Sequence, residues 1–280
     1  MSKPVLVYGV GVAGAATINF LLRQNIDVIA ADDRLNETKQ LELSKLGIEV
    51  VTAPSPDALR DLVASSEYVA PAPGIPETHP VILEALTQKK SVKTELDIAY
   101  EWESQRIGGA RPMLAVTGTD GKTTTVMMAE AILQAAGHSS IACGNTEVPL
   151  VEALDMAVDS FVVEASSFRL AFIESFRAEA SAWLNFDADH LDWHKSMKSY
   201  EEAKARLWRN VVADDTAIGV SGENAVMRHL QNAACRRRVV GGSGDYRTID
   251  GILSGPQGVI IAESDLSRSL PHDVLNALVA

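Results

Sequence analysis

Two glycine-rich loops in this chain carry the residue types that grip phosphate. The sharper is Val116-Thr117-Gly118-Thr119-Asp120-Gly121-Lys122-Thr123-Thr124-Thr125, which follows the apolar run Met113-Leu114-Ala115-Val116 and precedes a helical segment running through Met127, Met128 and Ile132. Its glycines let backbone N–H groups close around phosphate oxygens, Lys122 brings positive charge to the β and γ oxygens, and the Thr123 hydroxyl is a hard ligand for Mg²⁺. The usual phosphate-loop pattern has a glycine five residues before Gly121, where this sequence has Val116. The loop is therefore a variant, and its expected ligand is a nucleoside triphosphate.

The other loop, Gly9-Val10-Gly11-Val12-Ala13-Gly14, follows Val5-Leu6-Val7-Tyr8 and opens a helix, with Asp32-Asp33 at the end of the next apolar run. This is the layout of a dinucleotide-binding fingerprint. Its physics is broader, because glycines allow the backbone close to any diphosphate and a helix N-terminus offers free N–H groups to any such anion. NAD, FAD and UDP ligands all satisfy it.

An enzyme that sets a triphosphate beside an acidic substrate also needs groups that hold metal. Glu164 ends the run Phe161-Val162-Val163 and precedes Ala165-Ser166-Ser167-Phe168-Arg169-Leu170. An acid at the end of a buried parallel strand faces the crevice where such sheets bind ligands. In Leu184-Asn185-Phe186-Asp187-Ala188-Asp189-His190-Leu191-Asp192-Trp193-His194, the two histidines are four residues apart. That spacing can set both imidazoles on one helix face toward a metal, although no glutamate completes a metalloprotease motif. Lys204, within Tyr200-Glu201-Glu202-Ala203-Lys204-Ala205-Arg206-Leu207-Trp208, reads from spacing alone as a solvated helix lysine.

The pattern also supplies the frame for these groups. Over residues 5–95, apolar runs at 5–8, 27–30, 48–51 and 67–70 alternate with helical spacing around Leu41, Lys45 and Leu46, around Ala58, Leu59 and Leu62, and around Val81, Ile82, Ala85 and Leu86. This predicts an α/β fold with a parallel sheet and crossover helices, each burying one face. Arg106-Ile107-Gly108-Gly109-Ala110-Arg111-Pro112 has the charge, glycine and proline of a linker, so one domain is expected over 1–107 and another over 108–280. In the second, strands are expected at 113–116, 140–143, 161–164, 182–186 and 216–220, then an antiparallel hairpin region where glycines cluster over 241–258.

With 280 residues, 46% hydrophobic and 22% charged, the chain suits two globular domains and excludes a disordered or fibrous protein. A net charge of −12 repels nucleic acid and anionic membrane, and the basic run Arg236-Arg237-Arg238 beside Val239-Val240 reads as the solvated end of a strand. Cys143 and Cys235 lie far apart without CxxC spacing, which indicates neither a disulfide framework nor a cysteine zinc site and fits a reducing cytoplasm. The N-terminus enters a short strand directly, and no apolar stretch approaches the ~18 residues of a membrane span. A soluble cytoplasmic protein, with no nucleic-acid or membrane partner, is expected.

Taken together, these segments resemble the Mur ligases, the ATP-dependent amide-forming enzymes of peptidoglycan precursor synthesis. The phosphate loop is similar to the family ATP loop, and Asp189-His190-Leu191-Asp192-Trp193-His194, with Ser199-Tyr200 and Ala203-Lys204-Ala205-Arg206, to its metal and lysine segment. Glu164-Ala165-Ser166-Ser167-Phe168-Arg169-Leu170 is most similar to the members that add D-glutamate to UDP-N-acetylmuramoyl-L-alanine. The resemblance implies an N-terminal Rossmann-like domain for the UDP end of that substrate and a central ATP-binding domain with a small antiparallel β region. A C-terminal Rossmann-like domain for the incoming amino acid would begin about where the chain stops at Ala280, so a truncated monomer, weak or inactive alone, is expected.

The resemblance also implies roles. Lys122, Glu164, His190 and Lys204 would be catalytic, and Gly118, Thr119, Asp120, Gly121, Lys122, Thr123 and Thr124 would surround ATP, with Asn276 near adenine. Thr123 and Glu164 would ligate one Mg²⁺, and His190 a second with Lys204, which the family carbamylates. Carbamylation needs a neutral amine and yields an anionic oxygen ligand suited to Mg²⁺. Gly11, Val12, Ala13, Asp32, Asp33, Arg34, Pro73, Gly74, Asn145 and Ser166 would hold the UDP substrate, with 32–34 facing uridine, 72–75 beside the diphosphate and Asn145 on the muramoyl part. Ala13 and Ala72 stand where relatives often carry hydroxyl residues, Thr146-Glu147 replaces Ile-Gly, and Asp273 replaces an Asn. The alternatives are a sibling ligase adding another amino acid, an NAD(P)-binding oxidoreductase and a non-catalytic nucleotide switch.

Overall fold

Uninterrupted apolar runs suit strands buried on both faces, and the first four runs form one parallel sheet. In the computed structural model, which describes residues 3–280, the order is β1 (Val5–Tyr8), α1 (Val12–Arg23), β2 (Val28–Asp32), α2 (Glu37–Lys45), β3 (Glu49–Thr52), α3 (Pro56–Ser65), β4 (Val69–Pro71) and α4 (Pro80–Thr87). The strands lie β3-β2-β1-β4, all parallel. Strand order reverses between β1 and β4, so the loops after these strands part and leave a crevice at their C-terminal ends. Residues 9–14 and 72–75 form its two lips. α2 buries Leu43 rather than Leu41, which is 61% exposed, because the helix covers the sheet edge with a narrow stripe.

The next helix, α5 (Glu95–Glu103), escapes an apolar-spacing reading because it buries Glu95, Asp97 and Glu103. Beyond it come β5 (Met113–Thr117), α6 (Lys122–Ala135), β6 (Ser140–Gly144), α7 (Leu150–Ala153), β7 (Ser160–Glu164), α8 (Ser167–Leu170), β8 (Ala180–Trp183), α9 (Met197–Ala205), β9 (Thr216–Val220), α10 (Asn224–Leu230) and β10 (Arg236–Val240). These strands make a six-stranded sheet in the order β10-β9-β8-β5-β7-β6, again all parallel. β8 ends earlier than the expected 186, because Leu184 and Asn185 turn toward the loop after β5. The three arginines begin β10, an edge strand whose first two side chains are exposed. The glycine-rich region folds as the antiparallel sheet β11 (Arg247–Ile249), β12 (Ile252–Gly255) and β13 (Gly258–Ala262), and α11 (Pro271–Val279) packs on α6.

The two sheets share one contiguous apolar core. Ile18, Phe20 and Leu21 of α1 and Leu96 of α5 belong to the same buried cluster as Leu150, Phe161 and Phe176. Polar ties reinforce the junction: Asp97, fully buried, accepts the N–H groups of Glu174, Ser175 and Phe176 at 2.8–3.1 Å. Arg111 makes a bidentate pair with Glu103 at 2.7 and 2.8 Å, a geometry that fits guanidinium to carboxylate.

The glycines of the first loop divide by function. A Cβ on Gly14 would lie 1.9 Å from the Gly9 carbonyl oxygen, whereas one on Gly11 would meet nothing within 4 Å. Gly14 is thus needed for the β1–α1 turn, and Gly11 faces open space. Gly14→Ala is expected to lose about 3 kcal/mol in urea denaturation by overpacking, while Gly11→Ala, which gives up only the N-cap preference of glycine over alanine, loses about 1 kcal/mol or less. Equal effects of the two would refute this division.

Candidate functional site

The phosphate loop spans the gap between β5 and α6. Val116, the departure from the usual pattern, sits within β5 and is 5% exposed, so the loop starts after it and needs no glycine there. The close-approach position is Gly118, whose added Cβ would press on Asp120 O and Leu184 Cβ at 3.1 Å. Gly121 has φ +82, and a Cβ there would meet the Asn276 side chain at 2.7 Å. α11 therefore lays Asn276 directly against the loop. The bend of 118–121 is held by Asn185, whose side chain accepts from Asp120 N at 2.9 Å and donates to Asp120 O at 3.2 Å. Sequence reasoning gave Asn185 no role, since no spacing links residues 65 apart.

Around this loop the expected residues converge. Glu164, 2% exposed at the end of β7, splits its carboxylate between Thr123 Oγ1, which donates to Oε2 at 2.6 Å, and Asn145 Nδ2, which donates to Oε1 at 2.9 Å. Lys122 Nζ donates to Gly118 O at 2.9 Å and Thr119 O at 2.7 Å. Burial lowers its pKa, against the upward pull of Glu164, Asp120 and Asp189. A cleft of about 370 Å³ is lined by these groups with Thr119, Asp120, Gly121, Thr124, Ser166, His190 and Lys204.

Lys204 corrects the reading from spacing. It is 1% exposed, its Nζ donates to Gly118 O at 2.6 Å, and it lies 4.7 Å from the Tyr200 ring centroid. Burial first, and the charge of Lys122 second, bring its pKa down to about 7. With a pKa near neutrality, about half of such a lysine is neutral amine at pH 7. α9 carries it inward because Tyr200, Ala203 and Lys204 form the helix's buried face.

Among the described residues, no three His, Cys, Asp or Glu side chains form a ready metal cage. The donors at hand are the Thr123 hydroxyl, the Glu164 carboxylate and His190. Such a sparse, mainly oxygen set fits Mg²⁺, which is commonly bound by one or two carboxylates and completed by water and substrate phosphates.

The two histidines do not share a helix face. Residues 187–195 are not helical, with a turn at 191–193, His190 has φ +53, and its ring packs near Phe168 on the cleft wall. His194 is buried instead, with Nδ1 2.8 Å from Glu77 Oε1 and Nε2 2.9 Å from Ser167 Oγ. This has the order of a Ser–His–acid array, yet Ser167 is only 2% exposed and the rings of Phe168, Trp193 and Tyr200 enclose His194. It works as a clamp joining the first sheet's 72–79 loop to α8. Trp193 Nε1 adds a second tie, donating to Pro73 O at 2.9 Å. Glu77 had no sequence signal because its partner is 117 residues away.

At the first crevice, Asp32 accepts Val10 N at 2.7 Å and Arg34 N at 2.9 Å. Asp33 accepts Tyr8 OH at 2.6 Å and lies 2.9 Å from His79 Nε2. Gly11, Val12, Arg34 and Gly74 are exposed, with Ala13 and Pro73 half-buried beside them. The acidic turn 32–34 is thus locked to the glycine loop, and Gly11, Val12 and Gly74 present an open lip.

Two parallel sheets, a diphosphate-type crevice on one and a phosphate loop with a buried lysine on the other, define the class, and comparison with known proteins agrees. Residues 3–94 match the Mur ligase MurD-like N-terminal domain and residues 116–262 the Mur ligase middle domain. The chain belongs to the Mur ligase family. It is similar to the UDP-N-acetylmuramoylalanine–D-glutamate ligases of Frankia casuarinae (36% identity, 99% of this chain and 59% of the relative) and Mycolicibacterium vanbaalenii (35%, 99% and 57%). It thus spans under three fifths of the length of these curated relatives. Among solved structures, its fold is similar to the UDP-N-acetylmuramate:L-alanyl-gamma-D-glutamyl-meso-diaminopimelate ligase of Neisseria meningitides (TM-score 0.59, 18% identity, 100% of this chain and 92% of that one). It is also similar to the UDP-N-acetylmuramate-alanine ligase of Thermotoga maritima (0.54, 20%, 99% and 63%).

The clamp makes a stability prediction. His194→Ala strands the buried Ser167 hydroxyl and removes the tie to Glu77, so a loss of about 2 kcal/mol is expected. Thermal or urea denaturation checks this, and an unchanged midpoint would show that the array holds nothing together.

Proposed function

We propose that this chain provides the UDP-substrate and ATP sites of a ligase that adds D-glutamate to UDP-N-acetylmuramoyl-L-alanine in peptidoglycan precursor synthesis, in the cytoplasm. The observation that carries this is Lys204, buried against Gly118 of the phosphate loop with its pKa brought down to about 7 by burial and by Lys122. Neither an oxidoreductase nor a simple nucleotide switch has use for such a lysine. The two units divide, on this reading, at 107/108.

The chemistry follows from charge. The L-alanyl carboxylate attacks the γ-phosphorus of ATP in line, giving an acyl phosphate and ADP. The amine of D-glutamate then displaces phosphate and loses a proton as the amide forms. Both reactants in the first step are anions, so the protein's task is mainly neutralisation and positioning. Lys122 is placed to exchange its own loop carbonyls for the β and γ oxygens, and backbone N–H groups of 118–123 cradle the phosphates. Thr123 and Glu164 would hold one Mg²⁺, and His190 with carbamylated Lys204 a second; when bound, these ions supply further positive charge to the phosphates. The carbamate arises as neutral Nζ adds CO₂ and releases a proton. Asn276 would lie beside the nucleotide base. The 9–14 and 72–75 lips would hold the diphosphate, with Asp32, Asp33 and Arg34 toward uridine, and Asn145 and Ser166 toward the muramoyl end.

Calorimetric titration with UDP-N-acetylmuramoyl-L-alanine, UDP-N-acetylmuramate and NADH is expected to rank the alanyl compound tightest; NADH binding without UDP-sugar binding would overturn the reading. Carbamylation is checked with ¹³C-bicarbonate by NMR. A carbamate resonance should appear in the parent, grow from pH 6 to pH 8 as the Lys204 amine loses its proton, and be absent from Lys204→Ala. A parent without that resonance would remove the second Mg²⁺ site from the scheme.

A further inference from the structure

We infer that Arg169 is a positioning residue for the Glu164 carboxylate, acting through Asn145 and anchored by Glu95 at the junction of the two sheets. The inference rests on the reading of Glu164 as part of the nucleotide site. Arg169 is 5% and Glu95 4% exposed. Arg169 Nε lies 3.2 Å from Glu95 Oε1, and its NH1 donates to Asn145 Oδ1 at 2.5 Å. Asn145 Nδ2 in turn donates to Glu164 Oε1.

The order of donors gives the chain a direction. A guanidinium only donates and an ionised carboxylate only accepts, so an asparagine between them has one satisfied orientation. Turning the amide over would set N–H groups against N–H groups at one end and oxygen against oxygen at the other. Arg169 therefore fixes the Asn145 amide, and the amide fixes Glu164 Oε1, which leaves Oε2 aimed at Thr123 Oγ1.

The ion pair itself is poorly arranged for stability alone. Arg169 and the Leu150 N–H, at 3.3 Å, both use Glu95 Oε1, while Glu95 Oε2 is buried without a hydrogen-bond partner. A pair built only for strength would present both oxygens to the guanidinium fork, as Glu103 does to Arg111. Here the fork is shared, and its NH1 arm goes to Asn145. Buried pairs of this kind contribute little net stability.

The test is the Mg²⁺ dependence of ADP binding to the 280-residue chain, with UDP affinity and the thermal midpoint measured in parallel. Glu95→Gln/Arg169→Met removes the donor to Asn145 without leaving an unpaired buried charge. Asn145→Ala breaks the link while leaving the Arg169–Glu95 pair intact. Each is expected to raise the Mg²⁺ concentration for half-maximal ADP binding about tenfold, the scale on which lost support of a metal ligand acts, with UDP affinity unchanged in Glu95→Gln/Arg169→Met. Arg169→Lys, which keeps a cation able to reach Asn145, should fall between these variants and the parent. Parent-like Mg²⁺ dependence in Asn145→Ala, or in a folded double variant, overturns the inference. A parent that binds no ADP at any Mg²⁺ concentration refutes the nucleotide-site reading itself.

Discussion

Two carboxylates buried within three residues of α5 constrain how the halves of this protein meet. Burying Glu95 and Asp97 is unfavourable unless donors reach them, and those donors come from the second sheet's side: 174–176 for Asp97, Arg169 and Leu150 for Glu95. Even so, burial leaves both carboxyl groups with raised pKa values. The orientation that satisfies these groups is the one that brings α8 and the end of β7 beside the first sheet. Glu164, Asn145 and the cleft take their places from that contact.

Within the cleft the governing feature is competition for one carbonyl. Lys122 and Lys204 both donate to Gly118 O. Burial lowers the pKa of both amines, and Lys204, the more deeply buried, is pushed down further by the charge of Lys122, to about 7. The acidic residues around the loop oppose this without reversing it. The loop and the buried lysine are thus one electrostatic unit, since the charge of Lys122 helps lower the Lys204 pKa.

The His194 array shows why hydrogen-bond order alone does not define a catalytic group. Its serine, histidine and glutamate lie in the sequence of a nucleophile, base and orienting acid, yet Ser167 is only 2% exposed and aromatic rings surround the histidine. A nucleophile must reach substrate, and Ser167 Oγ is spent on holding α8 to the first sheet's loop. Burial turns a reactive-looking triplet into a joint.

The sequence by itself determined what depends on neighbours along the chain. Apolar runs alternating with helical spacing announced two parallel sheets, and glycines beside Lys122 and Thr123 announced the tight loop between β5 and α6, because a strand, a tight turn and a helix N-terminus are built from consecutive residues. It also misled where local appearance and burial part: Lys204 looks solvated and His190 and His194 look paired, while α5 escaped the spacing reading altogether. Only the tertiary structure decided those, along with the contacts of Asn185, Glu77, Glu95 and Arg169, whose partners lie 24 to 117 residues away. The physical reason is that a charged side chain enters a protein interior only when distant chain segments supply its hydrogen bonds, and that supply has no signature in local spacing.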